Sequence, residues 1–236
     1  MSIVIPTYNR DAQLRACLRA LARQSCIDNF EVIVVVDGST DGTRAMLAEL
    51  ALPYPLHIET QPKRGQAAAQ NHGADVAVGQ WLIFLDDDIL ADRDLVAAHV
   101  RAQRERPLVG IGRLTCLLPP RADGFARQFA TWWEEHYARV EQRQGKLSYM
   151  DCWSGNMSLL RHTFLQVGGF AEDLPRYHDL ELGYRLASFG LAFGYVPDAL
   201  GHQHFQKGFA AIARDAEAAG RASVALYRRH PPMLRR

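Results

Sequence analysis

An apolar run that ends in three aspartates is the most constraining feature of this sequence. Trp81–Leu85 has the length and composition of a buried strand, and Asp86, Asp87 and Asp88 follow it directly. Three neighbouring carboxylates repel one another, and each is costly to remove from water. A hard divalent cation offsets that repulsion and in turn binds phosphates. The triplet therefore predicts a metal-bridged phosphate ligand at a strand end, and a solvated acidic loop that caps the next helix is the alternative.

The bulk composition excludes several classes of protein. The chain has 236 residues, of which 48% are hydrophobic and 22% charged, as in an ordinary globular protein with one large domain. Its formal net charge of +1 gives no strong field that would attract nucleic acid. The four cysteines include no C-x-x-C pair, which argues against a zinc cage. Because we find no signal peptide and no apolar run of membrane-spanning length, we expect a cytoplasmic protein.

Strands and helices alternate through the first half of the chain. We predict strands at 2–5, 30–36, 56–59 and 81–85, separated by helices that begin near residues 11, 41 and 66. The second half is less regular, with predicted strands at 109–117, 157–160 and 191–196 and helices at 122–143, 163–167, 179–188 and 209–229. Alternation of this kind is typical of a doubly wound, mostly parallel sheet, in which ligands bind beyond the carboxyl ends of the strands.

The polar segments that follow the first four strands should meet at one edge of this sheet. They are the segment at 6–10 (P-T-Y-N-R), the segment at 37–42 (D-G-S-T-D-G), the segment at 63–65 (K-R-G) and the aspartate triplet. The opposite edge carries ordinary turn residues. This asymmetry predicts that the ligand site lies at the carboxyl edge.

Seven motifs, taken in order, resemble the family 2 glycosyltransferases of the GT-A fold. They are I-P-T-Y-N-R at 5–10, V-D-G-S-T-D-G-T at 36–43, K-R-G-Q-A-A-A-Q-N-H-G at 63–73, F-L-D-D-D at 84–88, S-G-N at 154–156, G-G-F at 168–170 and D-L-E-L-G-Y-R-L at 179–186. The resemblance implies one α/β domain over residues 1–236, with a Rossmann-like, mostly parallel central sheet flanked by helices. Residues 1–115 would form the nucleotide-sugar-binding half, and residues 116–236 the acceptor-binding half with its C-terminal helix.

What the resemblance implies about function is a metal-dependent, inverting glycosyltransferase. Such an enzyme moves a hexosyl or N-acetylhexosaminyl group from a nucleoside-diphosphate sugar to a hydroxyl of a glycan, a lipid-linked acceptor or a small molecule. The favoured donor is a UDP-sugar, with GDP- and dTDP-sugars as alternatives, and the expected cation is Mn²⁺ or Mg²⁺. The alternative function is a nucleotide-sugar-binding or nucleotidyltransferase-like protein without glycosyl transfer, although the glycine-rich loop of the pyrophosphorylases is missing here.

On the donor side, the resemblance places Pro6, Thr7 and Tyr8 under the base and ribose, with Arg10 in the same loop. Asp37 corresponds to the acidic residue that accepts a hydrogen bond from the base. Because a carboxylate only accepts hydrogen bonds, it suits the imide N–H of uracil or guanine.

The remaining donor-side positions surround the diphosphate. Lys63 or Arg64 stands where a basic residue approaches the base or the phosphates, with an exposed charge as the alternative. Asp86 corresponds to the contact with the ribose hydroxyls and Asp88 to the metal ligand. Asp87 is counted with the donor-binding residues, and we expect it either to be turned away from the ligand or to support the residues that contact it.

A late histidine completes the metal site in related enzymes. His202 matches that position best, and His204, which points the same way in a strand, is the alternative. Asp179 takes the position of the catalytic base. Glu181 is its rival, but it more simply pairs with Arg185 one turn along the helix.

We expect Trp153, Gly155, Asn156 and His178 on the acceptor side. Trp153 suits stacking on a sugar ring, and core packing is the alternative. His178 stands where many relatives carry an acidic residue, and it would tune Asp179 or contact the acceptor. An aromatic stripe along the helix at 122–143 is expected in the core.

The end of the chain is basic. Arg228, Arg229, Arg235 and Arg236 suit contact with an anionic membrane surface, and a solvated tail is the alternative. Such a contact would place a cytoplasmic protein at the inner face of the membrane.

Overall fold

The structure is a computed structural model. It describes residues 1–26, 30–143, 145–205 and 208–235. For residues 234 and 235, only the backbone is described. Its strands are β1 (Ser2–Thr7), β2 (Glu31–Asp37), β3 (Leu56–Gln61), β4 (Trp81–Leu85), β5 (Ile89–Ala91), β6 (Val109–Leu117), β7 (Asn156–Leu160) and β8 (Phe193–His204). Its helices are α1 (Asp11–Leu21), α2 (Thr43–Glu49), α3 (Gln66–Val76), α4 (Leu95–Glu105), α5 (Gly124–Gln142), α6 (Arg161–Gln166), α7 (His178–Ser188) and α8 (Phe209–Arg229), with 3₁₀ turns at Tyr149–Asp151 and Pro231–Arg235.

The strands within the described ranges form one mixed sheet in the order β3-β2-β1-β4-β7-β6-β8-β5. β1 pairs in parallel with β2 and β4, β2 with β3, and β6 with β8. β7 is antiparallel to both β4 and β6, and the short β5 is antiparallel to β8. The α/β sheet flanked by helices is the architecture predicted from the sequence. Its division into a donor half and an acceptor half stays a prediction.

Helices cover both faces of the sheet. The apolar faces of α1, α2 and α4 pack against one side of the central strands, and those of α3, α6 and α7 pack against the other. A smaller apolar cluster joins α8 to the Tyr149–Asp151 turn and to Leu174. In the described part of the chain, every helix is too short or too polar to cross a membrane.

Arg229, near the end of α8, donates to Asp173, while Arg228 beside it is exposed. The side chain of Arg235 and the whole of Arg236 lie outside the described residues, so the predicted basic end is described only in part.

The extent of one helix and the presence of one short strand were not predicted from the sequence, and one strand is longer than predicted. Helix α4 was expected only as the helix that an acidic loop would cap, and its extent was not predicted because two of its buried positions are the polar residues His99 and Gln103, which interrupt the apolar spacing. β5 has only three residues. β8 continues past residue 196 because its pairing with β6 resumes after a register shift: Gly112 pairs with Val196, and the next residue, Arg113, pairs with Leu200.

A buried polar network under α4 ties the helix to β7. The ring of His99 contacts Asn156 Oδ1 through Nε2 at 2.9 Å and Ser158 Oγ through Nδ1 at 2.8 Å. Gln103 Nε2 donates to the same Ser158 hydroxyl at 3.0 Å. Burial lowers the pKa of His99 to about 4. The neutral imidazole is therefore part of the folded state.

This histidine should make stability depend on pH. An unfolded histidine titrates near pH 6.5, so as pH falls from about 6.5 towards 4 the unfolded chain binds a proton that the folded chain excludes. Between pH 7 and pH 4.5, we expect His99 to lower the free energy of unfolding by about 2 to 3 kcal/mol. Urea denaturation of the wild type and His99→Gln at both pH values measures this effect. The wild type should lose more stability than the variant, and equal losses would disprove the assignment.

Candidate active site

A cavity of about 370 Å³ opens at the carboxyl edge of β1, β2 and β4. The segments that follow these strands all contribute to its wall, so the predicted convergence at this edge is confirmed. We call it the donor cavity; its lining residues are Pro6, Thr7, Tyr8, Arg10, Asp37, Lys63, Gly65, Gln66, Asp86, Asp87, Asp88, Arg176 and Gln203.

Arg10 and Thr7 hold two of the three aspartates. The Arg10 guanidinium, through Nη1, donates to Asp87 at 2.9 Å and to Asp88 at 3.0 Å. Thr7 Oγ1 donates to the other oxygen of Asp87 at 2.7 Å. Asp87 is the buried member of the triplet, and burial raises its pKa against the opposing effect of Arg10. Arg10, which the sequence placed among the donor-binding residues, thus organises the triplet.

Asp86 occupies a tight space at the base of the cavity. Its Oδ1 accepts from Gln66 Nε2 at 2.9 Å. A Cβ atom at Gly155 would lie 2.9 Å from its Oδ2, so a larger residue there would require the carboxylate to shift. Burial, and then the charges of Asp88 and Asp87, raise the pKa of Asp86 to about 7. Gly155 therefore lies at the boundary between the triplet and the acceptor side.

The buried carboxylate of Asp37 fixes the loop that follows β3. It accepts from Gln61 Nε2 at 2.8 Å, from the Arg64 backbone N–H at 2.7 Å and from the Gly65 backbone N–H at 2.8 Å. A carboxylate offers about four acceptor positions, so about one is left for a ligand. The predicted contact with a base stays a prediction, and the structural role of Asp37 is to hold this loop in place.

The structure separates the two basic candidates of this loop. Lys63 lines the donor cavity, and its ammonium lies 2.7 Å from the centroid of the Tyr8 ring, a cation–π contact. Arg64 turns outward and pairs with Glu172 at 2.7 Å. Lys63 is therefore the one positioned to meet a donor.

The structure does not bring His202 to Asp88. The side-chain amide of Gln203 donates to Asp88 Oδ1 at 3.1 Å. Neighbouring residues of a strand face opposite sides, so His202 faces away. Its Nδ1 lies 2.7 Å from Thr115 Oγ1 and its Nε2 lies 3.9 Å from Asp92. The prediction that Asp88 and His202 together hold a metal ion is therefore wrong, because β8 turns Gln203 and not His202 towards Asp88.

The backbone N–H of the alternative histidine, His204, donates to the backbone carbonyl of Asp88 at 3.2 Å. His204 and Asp88 both line a smaller cavity of about 220 Å³. Within the described residues, no group of three or more histidine, cysteine, aspartate or glutamate side chains is arranged to hold a metal ion. The carboxylates of Asp86 and Asp88 at the cavity wall are nonetheless oxygen donors that suit Mg²⁺ or Mn²⁺. The donor set fits a cation that takes further ligands from a diphosphate and water.

A second cavity, of about 480 Å³, adjoins the donor cavity. We call it the acceptor cavity; it includes Asp179, His178, Tyr177, Trp153, Gly155, Trp133 and Tyr227. Four residues line both cavities, namely Gln66, Asp86, Arg176 and Gln203. The charge of Asp179 contributes to the raised pKa of Asp86. We call these four residues the shared wall, because molecules bound in the two cavities would meet there.

Glu181 is bound within the protein. Its carboxylate accepts from Arg185 Nε at 2.9 and 3.0 Å and contacts His230 Nε2 at 2.8 Å. The predicted pairing with Arg185 is confirmed. Burial acts to raise the pKa of Glu181, and the hydrogen bonds from Arg185 and His230 lower it overall. These contacts leave Asp179 as the carboxylate of α7 that faces the acceptor cavity.

The acceptor-side predictions divide into two groups. Trp153 lines the acceptor cavity, edge-on to Trp133 with ring centroids 4.9 Å apart. His178 also lines it; burial lowers the pKa of this imidazole, and its Nε2 has no protein partner among the described residues. Asn156 was predicted here wrongly. Its amide donates to the carbonyl of Ala199 at 2.8 Å in the core, because β7 carries it inward under α4.

The residues of the site that were missed from the sequence include Gln66, Gln203, Trp133 and Arg176. Gln66 follows the K-R-G motif directly and could have been included with it. Gln203 lies between the two histidines, and strand alternation offers it as the inward residue if they face out. Trp133 belongs to an aromatic stripe expected in the core, but it lines the acceptor cavity and the small cavity. Arg176 carries no sequence signal beyond its place three residues before Asp179.

Comparison with known proteins defines the class of protein to which this fold and site belong. The family model described as Glycosyl transferase family 2 matches residues 2–168. The chain belongs to this family.

Relatives of known sequence support the same assignment. Validoxylamine A glucosyltransferase of Streptomyces hygroscopicus subsp. limoneus is 32% identical over 81% of this chain and 48% of its own length. The glycosyltransferase YfnE of Bacillus subtilis strain 168, whose function is uncharacterised, is 34% identical over 78% of this chain and 44% of its own length. This chain therefore spans about half the length of these relatives.

Solved structures share the fold at lower identity. S. aureus TarS 1-349 in complex with UDP-GlcNAc has a TM-score of 0.67 at 17% identity, over 88% of this chain and 59% of that one. The mannosyltransferase PcManGT of Pyrobaculum calidifontis, in complex with GDP-Man and Mn²⁺, has a TM-score of 0.66 at 23% identity, over 88% and 57%. The GT-A architecture predicted from the motifs is confirmed.

Proposed function

We propose that this chain is a metal-dependent, inverting glycosyltransferase that moves a sugar from a nucleoside-diphosphate sugar to a hydroxyl acceptor. The observation that carries the proposal is the shared wall between two cavities. One cavity holds the aspartate triplet at the carboxyl edge of the sheet, and the other holds Asp179. A sugar bound at this wall would face a nucleotide on one side and an acceptor on the other.

The donor cavity suits a nucleotide at the end that holds Tyr8 and Lys63. Tyr8 offers an aromatic face, Lys63 a positive charge, and Asp37 an acceptor position for a base N–H. Asp86 would accept from the ribose hydroxyls. The complexes of similar folds with UDP-GlcNAc and with GDP-Man support a nucleoside-diphosphate sugar as donor, and we favour a UDP-sugar with GDP- and dTDP-sugars as alternatives.

Transfer needs one displacement. The acceptor oxygen forms a bond to the anomeric carbon as the bond from that carbon to the diphosphate oxygen breaks, and the electron pair leaves with the diphosphate. Asp179 takes the proton of the acceptor hydroxyl, which requires a contact of about 3.2 Å or less, directly or through one water. A single attack from the face opposite the leaving group inverts the anomeric centre.

Asp88 would hold a divalent cation, which when bound neutralises charge on the diphosphate, while Asp86 contacts the ribose. The chain's own residues prepare these carboxylates. Arg10 and Gln203 each donate to one oxygen of Asp88, and Gln66 donates to Asp86. These contacts hold the carboxylates in place before a ligand arrives.

Release of nucleoside diphosphate tests the proposal. The protein would be incubated with Mn²⁺ and UDP-glucose, UDP-GlcNAc or GDP-mannose, with and without hydroxyl acceptors. The name of one relative makes validoxylamine A a first acceptor to try. We expect release from one donor that rises when an acceptor is added. Tight binding of a donor without release under any acceptor would support the non-transferring alternative.

A further inference from the structure

The donor cavity has few free positive charges for the ligand it would hold. Arg10 is bonded to Asp87 and Asp88, and Lys63 lies over the ring of Tyr8. A nucleoside diphosphate brings further negative charge to a wall that already carries three carboxylates. As the glycosidic bond breaks, still more charge develops on the phosphate nearest the sugar. A cationic side chain at the sugar end of the cavity would add to the neutralisation that a bound cation supplies there.

Arg176 is placed at that end. Among the described residues, it is the cationic side chain that lines both the donor and the acceptor cavity. Its guanidinium pairs with Asp215 of α8 through one terminal nitrogen, and 40% of the side chain stays exposed. A guanidinium carries five N–H donors in a planar fork, so a single carboxylate contact leaves donors for phosphate oxygens.

A left-handed turn at Tyr177 lies between Arg176 and helix α7. Tyr177, the residue that caps α7, adopts the left-handed conformation with φ 61° and ψ 18°. Non-glycine residues rarely adopt this conformation, and such residues concentrate at functional sites. The turn lets Arg176 line the donor cavity while Asp179, three residues later, lines only the acceptor cavity.

We propose that Arg176 binds the departing diphosphate and stabilises the charge that develops on it, and that Asp215 positions the guanidinium. This inference rests on the proposed function. The electron pair of the broken bond moves onto the oxygen of the phosphate nearest the sugar, and Arg176 donates hydrogen bonds to that phosphate. Fixed donors aimed at developing charge are among the strongest contributions to catalysis.

Binding without turnover gives the first test. Titration calorimetry with Mn²⁺ would compare UDP with UMP, or GDP with GMP, for the wild type, Arg176→Ala and Arg176→Lys. We expect the preference for the diphosphate over the monophosphate to fall about tenfold or more in Arg176→Ala, because charge-assisted hydrogen bonds are lost. Arg176→Lys should keep part of it. Arg101→Ala, which removes an exposed arginine paired with Asp198, is the matched control.

The two possible failures are distinguishable. If the wild type binds no nucleoside diphosphate, the proposed function fails. If the wild type binds one and Arg176→Ala keeps the full preference for the diphosphate, the inference about Arg176 fails alone.

Turnover gives the second test. With the active donor, we expect Arg176→Ala to lower kcat by about 10²- to 10³-fold, and low millimolar guanidinium should restore part of it. Asp215→Asn should cause a smaller loss, since it releases the guanidinium without removing it. Thermal unfolding of each variant identifies any that fail to fold. Undiminished turnover in Arg176→Ala, or a loss without rescue in a variant that keeps the diphosphate preference, would overturn the proposal.

Discussion

Asp179→Asn should lose nearly all turnover while keeping its fold and its affinity for the donor. The carboxylate sits in the first turn of α7, where Oδ1 accepts from the backbone N–H of Leu180 at 2.8 Å. An asparagine keeps that acceptor but cannot take a proton from the acceptor hydroxyl. A positioned general base contributes about 10²- to 10⁴-fold, so kcat should fall by that factor. Steady-state kinetics with the active donor, beside calorimetry of the diphosphate, measures both quantities.

The matched control for this variant is Asp198→Asn. Asp198 is exposed on β8 and pairs with Arg101, outside the residues that line the cavities. It should retain wild-type turnover. Glu181→Gln addresses the rival base: it should lower the melting temperature, because it weakens a buried ion pair, but keep most of kcat once folded. A kcat for Asp179→Asn near the wild-type value would remove Asp179 from the mechanism.

The second large effect is expected at Asp88. Asp88→Asn keeps the size of the side chain and removes its charge, so it should abolish most of the Mn²⁺-dependent gain in affinity for the nucleoside diphosphate. Changes to residues that only support a metal ligand cost about 10- to 100-fold in metal affinity, and a direct ligand should cost at least that much. In Asp88→Asn, calorimetric titrations of the diphosphate with and without Mn²⁺ should give nearly the same affinity. A preserved Mn²⁺ effect would move the cation away from Asp88.

The strands of the first half could be predicted from the sequence because three of the four, β1, β2 and β4, are buried apolar runs followed by polar residues, whereas most of β3 is not buried. Trp81–Leu85 is the clearest case, since the aspartates that end it fix its boundary to the residue. The convergence of the polar segments then follows from parallel pairing alone.

The extent of helix α4 and the core position of Asn156 could not be predicted in this way. Both depend on the network in which His99 bonds Asn156 and Ser158, more than fifty residues away in sequence. A polar residue satisfied by a distant partner has the same sequence signature as one that meets solvent or ligand. Only the folded contacts distinguish them.

The histidines near the end of β8 show a different limit. Strand alternation correctly indicates that residues 202 and 203 face opposite ways, but it does not say which of the two faces the triplet. Pairing of β8 with β5 and β6 decides this, and it turns Gln203 towards Asp88. Arg176 escaped prediction because its position depends on the left-handed turn at Tyr177 and on Asp215 of α8.

The most direct measurement is the melting temperature of the wild-type protein with UDP, GDP and dTDP, each with and without Mn²⁺. A ligand that binds the folded state at about 100 times its Kd adds about 2.7 kcal/mol, which raises Tm by about 5 to 10 °C for a chain of this size. We expect one of the three diphosphates to give such a shift with Mn²⁺ and a much smaller one without it. An unchanged Tm with all three, with and without Mn²⁺, would contradict a nucleotide-sugar site at the aspartate triplet.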